Sequence, residues 1–299
     1  MASRVATYQG NSTSPLMDIP YDYLVVATGT SRNWPVVLKS SAREEYLQDI
    51  HGHIESLRGS KRVVIVGGGA VGVEFAAEIK ANFPNTEVYL VQSRPHLLHA
   101  EPLPNEFKQR AFDIPTKMGI QLVLGCRVTK ILDDSTSGFK SMVTLSNGMR
   151  LGADHVIHTC TNSPHVARTE FLPKKALDSH GCINVRPTLQ FPSDLVNADF
   201  HYAAGDVVSW SGIKRVGNAF IMGQHVATNI VRQICSSRVK EYSTTLAVCP
   251  QIKPMMALSI GDTALVYPKG ENDSWGEEQQ NLVVGRGLVI DLCSAYLRL

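Results

Sequence analysis

The sequence predicts an α/β protein built on parallel strands, and three observations carry that expectation. Val63, Val64, Ile65 and Val66 form a run of four β-branched apolar residues, the pattern of a strand buried on both faces. Gly67, Gly69 and Gly72 follow at once in G-x-G-x-x-G spacing, and Val71, Phe75 and Ile79 then recur at four-residue intervals, as on the apolar stripe of a helix. Strand-like and helix-like segments go on alternating beyond this point.

Each glycine of such a turn has its own task. Gly67 allows the sharp bend, Gly69 lets the backbone approach a pyrophosphate, and Gly72 lets helix and strand pack closely. The helix start offers N–H groups and a partial positive charge to phosphates. Because this motif follows a strand and opens a helix, it points to dinucleotide binding. A glycine-rich turn without a ligand is the plain alternative.

The remaining elements follow in order. A β-prone stretch begins at Val5, and Tyr23 to Ala27 reads as another buried strand ending at Thr28-Gly29. Between Ala42 and Leu57 the residues Tyr46, Ile50, Ile54 and Leu57 share one helical face. After the glycine motif come a strand from Glu87 to Gln92 and a helix over about 105–118, which Pro115 should break or kink. Strands are expected around 121–124 and 127–132. A hairpin follows at Asn147-Gly148, the pair that favours a type I′ turn, and then a strand over 154–159. A strand at 200–204 runs into Gly205-Asp206, and a helix spans about 218–234. From Glu241 onward short strands are expected at 255–260, 264–267 and 282–292, making a small α+β C-terminal domain.

Composition sets outer limits. At 299 residues, 43% hydrophobic and 19% charged, the chain suits a globular protein of about two domains. A net charge of +2 gives no field that favours nucleic acid. The longest apolar stretch is interrupted by Glu74 and Glu78, so no transmembrane span is expected. The first residues lack a secretion-type apolar core, and Ala2 stands where myristoylation needs glycine. The six cysteines, at 126, 160, 182, 235, 249 and 293, include no C-x-x-C pair, which argues against metal ligation and a redox dithiol. No metal site is expected. The Asn-x-Ser/Thr triplets at Asn11 and Asn272 read as chance.

Three motifs in order, Tyr21-Asp-Tyr-Leu-Val-Val-Ala-Thr-Gly29, Gly67 to Gly72 and Tyr202-Ala-Ala-Gly-Asp206, resemble the pyridine nucleotide-disulfide oxidoreductase superfamily of FAD/NAD(P)-binding flavoproteins. Gly-Val-Glu74 and the C-terminal Asp291-Leu-Cys-Ser-Ala-Tyr-Leu-Arg-Leu are similar to its apoptosis-inducing-factor-like, ferroptosis-suppressor-like branch. The resemblance implies a Rossmann-like, glutathione-reductase-type two-domain fold. Residues 1–58 and 166–240 would be pieces of the FAD domain, 59–165 the NAD(P)H-binding domain, and 241–299 the C-terminal domain.

The resemblance also implies roles for residues. Thr28, Gly29, Gly205 and Asp206 would lie against FAD, with the Asp206 carboxylate on the ribityl hydroxyls. The helix opening near Asn218 would direct its dipole at the flavin ring. The plain alternative for Asp206 is a helix cap at the strand end. Glu74 corresponds to a glutamate beside the nicotinamide, although a carboxylate near a helix start is also favourable in itself. Thr159-Cys-Thr-Asn162-Ser-Pro164 stands where Thr-Gly usually precedes a proline, with Asn162 in the glycine's place.

Cofactor choice turns on the end of the second strand, where an acidic residue would hold the ribose of NAD about twenty residues past the glycines. Here Gln92-Ser93-Arg94 stands instead. No carboxylate repels a 2′-phosphate and Arg94 could pair with one, so NADPH is expected to bind at least as well as NADH. Arg94 could also be an ordinary loop arginine.

The first glycine turn of this family, which holds the ADP half of FAD, is not found before Tyr23. The expectation is therefore a fold incomplete at the N-terminus. Two functions follow. One is an FAD-dependent enzyme passing a hydride from NAD(P)H to FAD and electrons to a quinone-like acceptor, cytoplasmic, peripheral to a membrane or mitochondrial. The other is a non-catalytic NAD(P)H-binding protein, or an inactive product unable to hold FAD.

Overall fold

The computed structural model describes residues 4–10, 13–134, 138–160, 169–238, 245–269, 272–285, 287 and 289–297. In chain order the elements are β1 (Val5–Gln9), β2 (Leu16–Pro20), β3 (Leu24–Val26), α1 (Arg43–Arg58), β4 (Arg62–Val66), α2 (Ala70–Asn82), β5 (Glu87–Gln92), α3 (Asn105–Lys117) and β6 (Gln121–Leu124). Then come β7 (Val128–Asp133), β8 (Ser141–Leu145), β9 (Arg150–Ala153), β10 (His155–His158), β11 (His201–Ala203), α4 (Val216–Arg238), β12 (Met256–Ile260), β13 (Thr263–Lys269), β14 (Asn272–Gly276), α5 (Glu277–Gln279) and α6 (Ile290–Leu297).

These elements form two compact units: Met1–Ser31 with Ser163–Lys253, and Arg32–Asn162 with Pro254–Leu299. The division runs differently from the expected one, which joined 32–58 to the first piece and set 241–299 apart. Here α1 and everything from Pro254 onward are grouped with the glycine-motif sheet.

In the second unit a four-stranded parallel sheet has the order β10-β4-β5-β6. From β4 the chain winds outward through β5 and β6, then returns to pair β10 on the other side of β4. Val63, Val64 and Ile65 are fully buried, as the unbroken apolar run requires. Alternation along the strand divides its side chains between two layers. Val64 and Val91 face Val143, Leu145 and Leu151 of the antiparallel β7-β8-β9 meander, while α2 packs on β4 and β5.

In the first unit β1 and β2 form an antiparallel hairpin, and β3 pairs with β11 in parallel. Tyr202, Phe191, Ile183, Met222 and Val226 lie in a core formed with α4.

Three local expectations give way. Pro115 does not end α3, which continues to Lys117. It falls in the last turn, where only one intrahelical bond is lost, and its ring is buried. The Asn147-Gly148 hairpin is a three-residue loop and not a type I′ turn. Gly148 N–H donates to Leu145 C=O at 3.0 Å and Leu145 N–H to Met149 C=O at 2.9 Å, and of the pair only Gly148 has a positive φ, 85°. The expected strand over 282–292 is helical, with a π-type turn at Gln280–Val284 and then α6. A continuous apolar run cannot by itself distinguish strand from helix.

Candidate nucleotide sites

The glycine turn lies at the carboxyl end of β4, where the strand order switches sides, β5 pairing on one side of β4 and β10 on the other, both parallel to it. In open parallel sheets this is the crevice that receives ligands. Gly67 has φ 115°, a conformation that only glycine adopts readily. A Cβ on Gly72 would lie 1.8 Å from the Gly67 carbonyl oxygen, so this glycine sets the closeness of helix and strand. Gly69, at the helix start, has nothing within 4 Å of the same construction, and no side chain caps the helix. The backbone is thus open at the one glycine position where a phosphate would approach. Thr159, after β10, closes the turn from beneath, its hydroxyl donating to the carbonyls of Val66 at 3.1 Å and Gly67 at 2.9 Å.

A hollow of about 340 Å³ adjoins this turn, lined among others by Gly67, Gln92, Ser93, Arg127 and Cys160. Gln92 thus lies with the glycines, although its amide also reaches the His96 carbonyl at 3.4 Å and accepts from Ser93 N–H at 3.1 Å. Arg94 is exposed and outside that lining. Its carbonyl accepts from Gly125 N–H at 3.0 Å. The lining arginine is Arg127, expected from the sequence as the first residue of a strand and given no role there; it lies in the link between β6 and β7. Gly68 was also passed over. A Cβ there would come within 2.6 Å of Leu97 and 2.9 Å of Gln92, so this glycine lets the 92–98 loop fold onto the turn. The stretch Thr161–Pro164, with Asn162, lies outside the described residues.

Glu74 lies in the second turn of α2, and Ser259 N–H donates to its carboxylate at 3.2 Å. It borders an apolar cavity of about 470 Å³ with Val71, Phe75, Glu78, Ala257 and Val284. Burial pushes its pKa up to about 7, opposed by the Ser259 hydrogen bond and assisted by the nearby Glu78 charge. Glu74 can therefore hold or release a proton near neutrality.

The first unit carries a second hollow, a groove of about 590 Å³ between β3, the 204–206 turn and α4. Gly29, with φ 63°, and Gly205, with φ 81°, both line it beside Asp206. Thr28 heads the same turn and is exposed. Gly29 has nothing within 4 Å of a built Cβ, and the wall from α4 sets the small residues Ala219, Gly223 and Ala227 among the apolar Val216, Val226 and Ile230. Such a wall leaves room for a flat, largely apolar group. The helix opens at Val216, two residues before the expected start, and its first turn borders the groove. Arg215 also lines the groove, and its Nε is buried without a hydrogen-bond partner. Burial lowers the pKa of its guanidinium. No sequence pattern marked it, because it stands in the loop before a helix.

All six cysteines are free. Among the described residues no cluster of three or more His, Cys, Asp or Glu could hold a metal ion. No helix among them is long and apolar enough to cross a membrane.

Comparison with known proteins agrees with this architecture. Residues 3–223 match the family described as Pyridine nucleotide-disulphide oxidoreductase. Oxidoreductase OXR1 of Ajellomyces capsulatus is 33% identical over 302 residues, 99% of this chain and 64% of that protein. Human ferroptosis suppressor protein 1 is 27% identical, covering 91% of this chain and 68% of its own. The chain thus spans about two thirds of the length of these relatives. A crystal structure of an FAD-dependent pyridine nucleotide-disulphide oxidoreductase from Desulfovibrio vulgaris superposes with a TM-score of 0.64 at 19% identity, over 89% of this chain and 64% of that one. With the family model matched over residues 3–223, the chain belongs to the pyridine nucleotide-disulphide oxidoreductase family, whose members use FAD and NAD(P)H.

Proposed function

We propose that this protein is an NAD(P)H-dependent flavoprotein oxidoreductase that passes electrons to a quinone-like acceptor, at a cytoplasmic or peripheral-membrane location. One observation carries the reading: each unit contains an open hollow lined by glycine backbone at the carboxyl end of parallel strands. FAD and NAD(P)H, when bound, supply the hydride chemistry. The chain supplies their seats. Gly67 and Gly72 shape the turn for the nicotinamide nucleotide, and Gly69 and the α2 start face its pyrophosphate. Gln92 and Arg127 line the ribose end, with Arg94 exposed outside that lining. Thr28, Gly29, Gly205 and Asp206 form the flavin seat, with Arg215 as a further cation there. Glu74 is assigned beside the nicotinamide, as a carboxyl able to change protonation near neutral pH. Six free cysteines without close pairing leave no dithiol relay, which favours a small-molecule acceptor over a disulfide.

Among the described residues β3 pairs only with β11, and this supports a second reading, a protein that binds NAD(P)H without retaining FAD. One spectrum separates the two. Purified protein with FAD should show flavin absorbance after gel filtration, and NADPH should bleach it under anaerobic conditions. Colourless protein that still binds NADPH would establish the second reading. A separate titration tests the cofactor choice: NADPH should bind at least as tightly as NADH, and Arg127→Gln should weaken NADPH about tenfold while sparing NADH.

A further inference from the structure

Outside both hollows, Lys214 and Cys182 form a close pair. Lys214 Nζ stands 3.1 Å from Cys182 Sγ and also donates to the Asp206 main-chain carbonyl. Both ends are held by the surrounding fold. The Asp178 carboxylate accepts from His180 N–H at 2.8 Å and Cys182 N–H at 2.9 Å, while Asp178 N–H donates to the Cys182 carbonyl at 2.8 Å. Ile183, the next residue, exchanges backbone hydrogen bonds with Val207 and Ser209 at 2.8 and 2.9 Å. On the other side Ile213 is 6% exposed, and its carbonyl accepts from the Asn218 amide at 2.6 Å. The backbone at Cys182 is thus held on both sides, and Lys214 follows directly on the buried Ile213. Cys182 is itself buried, whereas Lys214 reaches solvent.

We propose that this pair is a peroxide-dependent modification site, at which a single oxygen atom bridges Lys214 Nζ and Cys182 Sγ. Peroxide oxidises a thiol first to the sulfenic acid, whose oxygen the bridge retains. At 3.1 Å the nitrogen and sulfur stand in hydrogen-bond contact, too far apart for a direct S–N bond and near enough for one interposed oxygen to join them after a small approach. In the first step peroxide oxidises the thiol: S–H breaks, S–O forms, and one water leaves. In the second step another peroxide oxidises the S–OH and amine together. The O–H and one N–H break, the O–N bond forms, and two waters leave. Two peroxides are thus reduced to three waters in all, one of their oxygens staying in the bridge, and thiol and amine together lose four electrons.

The bridge would tie the loop entering α4 to the 178–183 segment, whose Ile183 is hydrogen-bonded to Val207 just past Gly205 and Asp206. Any consequence for flavin binding rests on the function proposed above, but the crosslink itself does not. The test uses the full chain, treated with hydrogen peroxide, digested without reductant and read by mass spectrometry. The expected product joins the Cys182 and Lys214 peptides, at their summed mass plus one oxygen less two hydrogens. Trypsin should fail to cut after Lys214, and dithiothreitol should restore the separate peptides. Lys214→Arg, which keeps the charge at an exposed position, and Cys182→Ser should both abolish the product. The proposal is overturned by a joined pair lacking the oxygen, by Cys182 oxidised but unjoined, or by an unmodified pair while the partly exposed Cys160, Cys235 and Cys293 react.

Discussion

β4 and β3 carry similar apolar runs, each leading into a glycine turn, yet the two strands sit in opposite surroundings. β4 lies between β10 and β5, and Val63, Val64 and Ile65 are 0% exposed. Among the described residues β3 pairs only with β11, and Val25 is 42% exposed. The glycine turn after β4 is locked by contacts, with Gly72 pressed against Gly67 and Thr159 bonded beneath. The turn after β3 borders open space at Gly29. An apolar strand thus reports its preference for burial, whereas the number of neighbours it acquires is decided by topology.

The sharpest way to break this contrast is Gly72→Ala. The added methyl would meet backbone 1.8 Å away, which no rotamer relieves, so the variant should lose about 3 kcal/mol or more of stability in denaturant unfolding. An unchanged midpoint would mean that α2 is not held against the turn as described.

Glu74→Gln comes next. Burial raises the Glu74 pKa from 4.5 to about 7, so the folded state binds the proton more tightly than the unfolded chain does. Wild-type stability should therefore fall as pH rises through the window from about 4.5 to 7 and stay level above it. Glutamine keeps an oxygen for Ser259 N–H and has no charge to desolvate. At pH 8 the variant should be the more stable protein by about 2 kcal/mol, with the advantage gone by pH 4. Equal stability curves would show that Glu74 is hydrated in the folded protein.

Gly69→Ala should separate packing from ligand approach. Its φ of −77° suits alanine and no atom lies within 4 Å, so ligand-free stability should change by less than about 1 kcal/mol. NADPH binding, followed by titration, should weaken about tenfold because the methyl occupies the space a phosphate would use. Undiminished affinity would move the pyrophosphate elsewhere.

The smallest effect belongs to the open strand. Val25→Ala should shift unfolding of the cofactor-free protein by less than about 0.5 kcal/mol, as expected for a surface position. A loss of about 2 kcal/mol would show that Val25 is covered in solution.

Much of the second unit was legible because its signals are local. β5 falls on the expected residues, Glu87–Gln92, and the glycine spacing locates the turn after β4. What proximity in space contributed was not legible. Arg127 shares a hollow with Gln92 although 35 positions separate their numbers, and nothing in its neighbours distinguishes it from a solvated loop arginine. Gly68 resembles a free position of the motif until Leu97 folds over it. The raised pKa of Glu74 comes from burial and is opposed by the Ser259 N–H, 185 residues away, and the lowered pKa of Arg215 comes from burial beside a groove.

The sequence by itself determined the α/β class, the dinucleotide-type turn and the family, because strand runs, glycine spacing and motif order are written in consecutive residues. Only the tertiary structure decided which glycine packs and which stays open, which arginines face the hollows, and that Lys214 meets Cys182. The physical reason is that close approach, burial and the pKa shifts they cause are set by atoms brought together from distant parts of the chain.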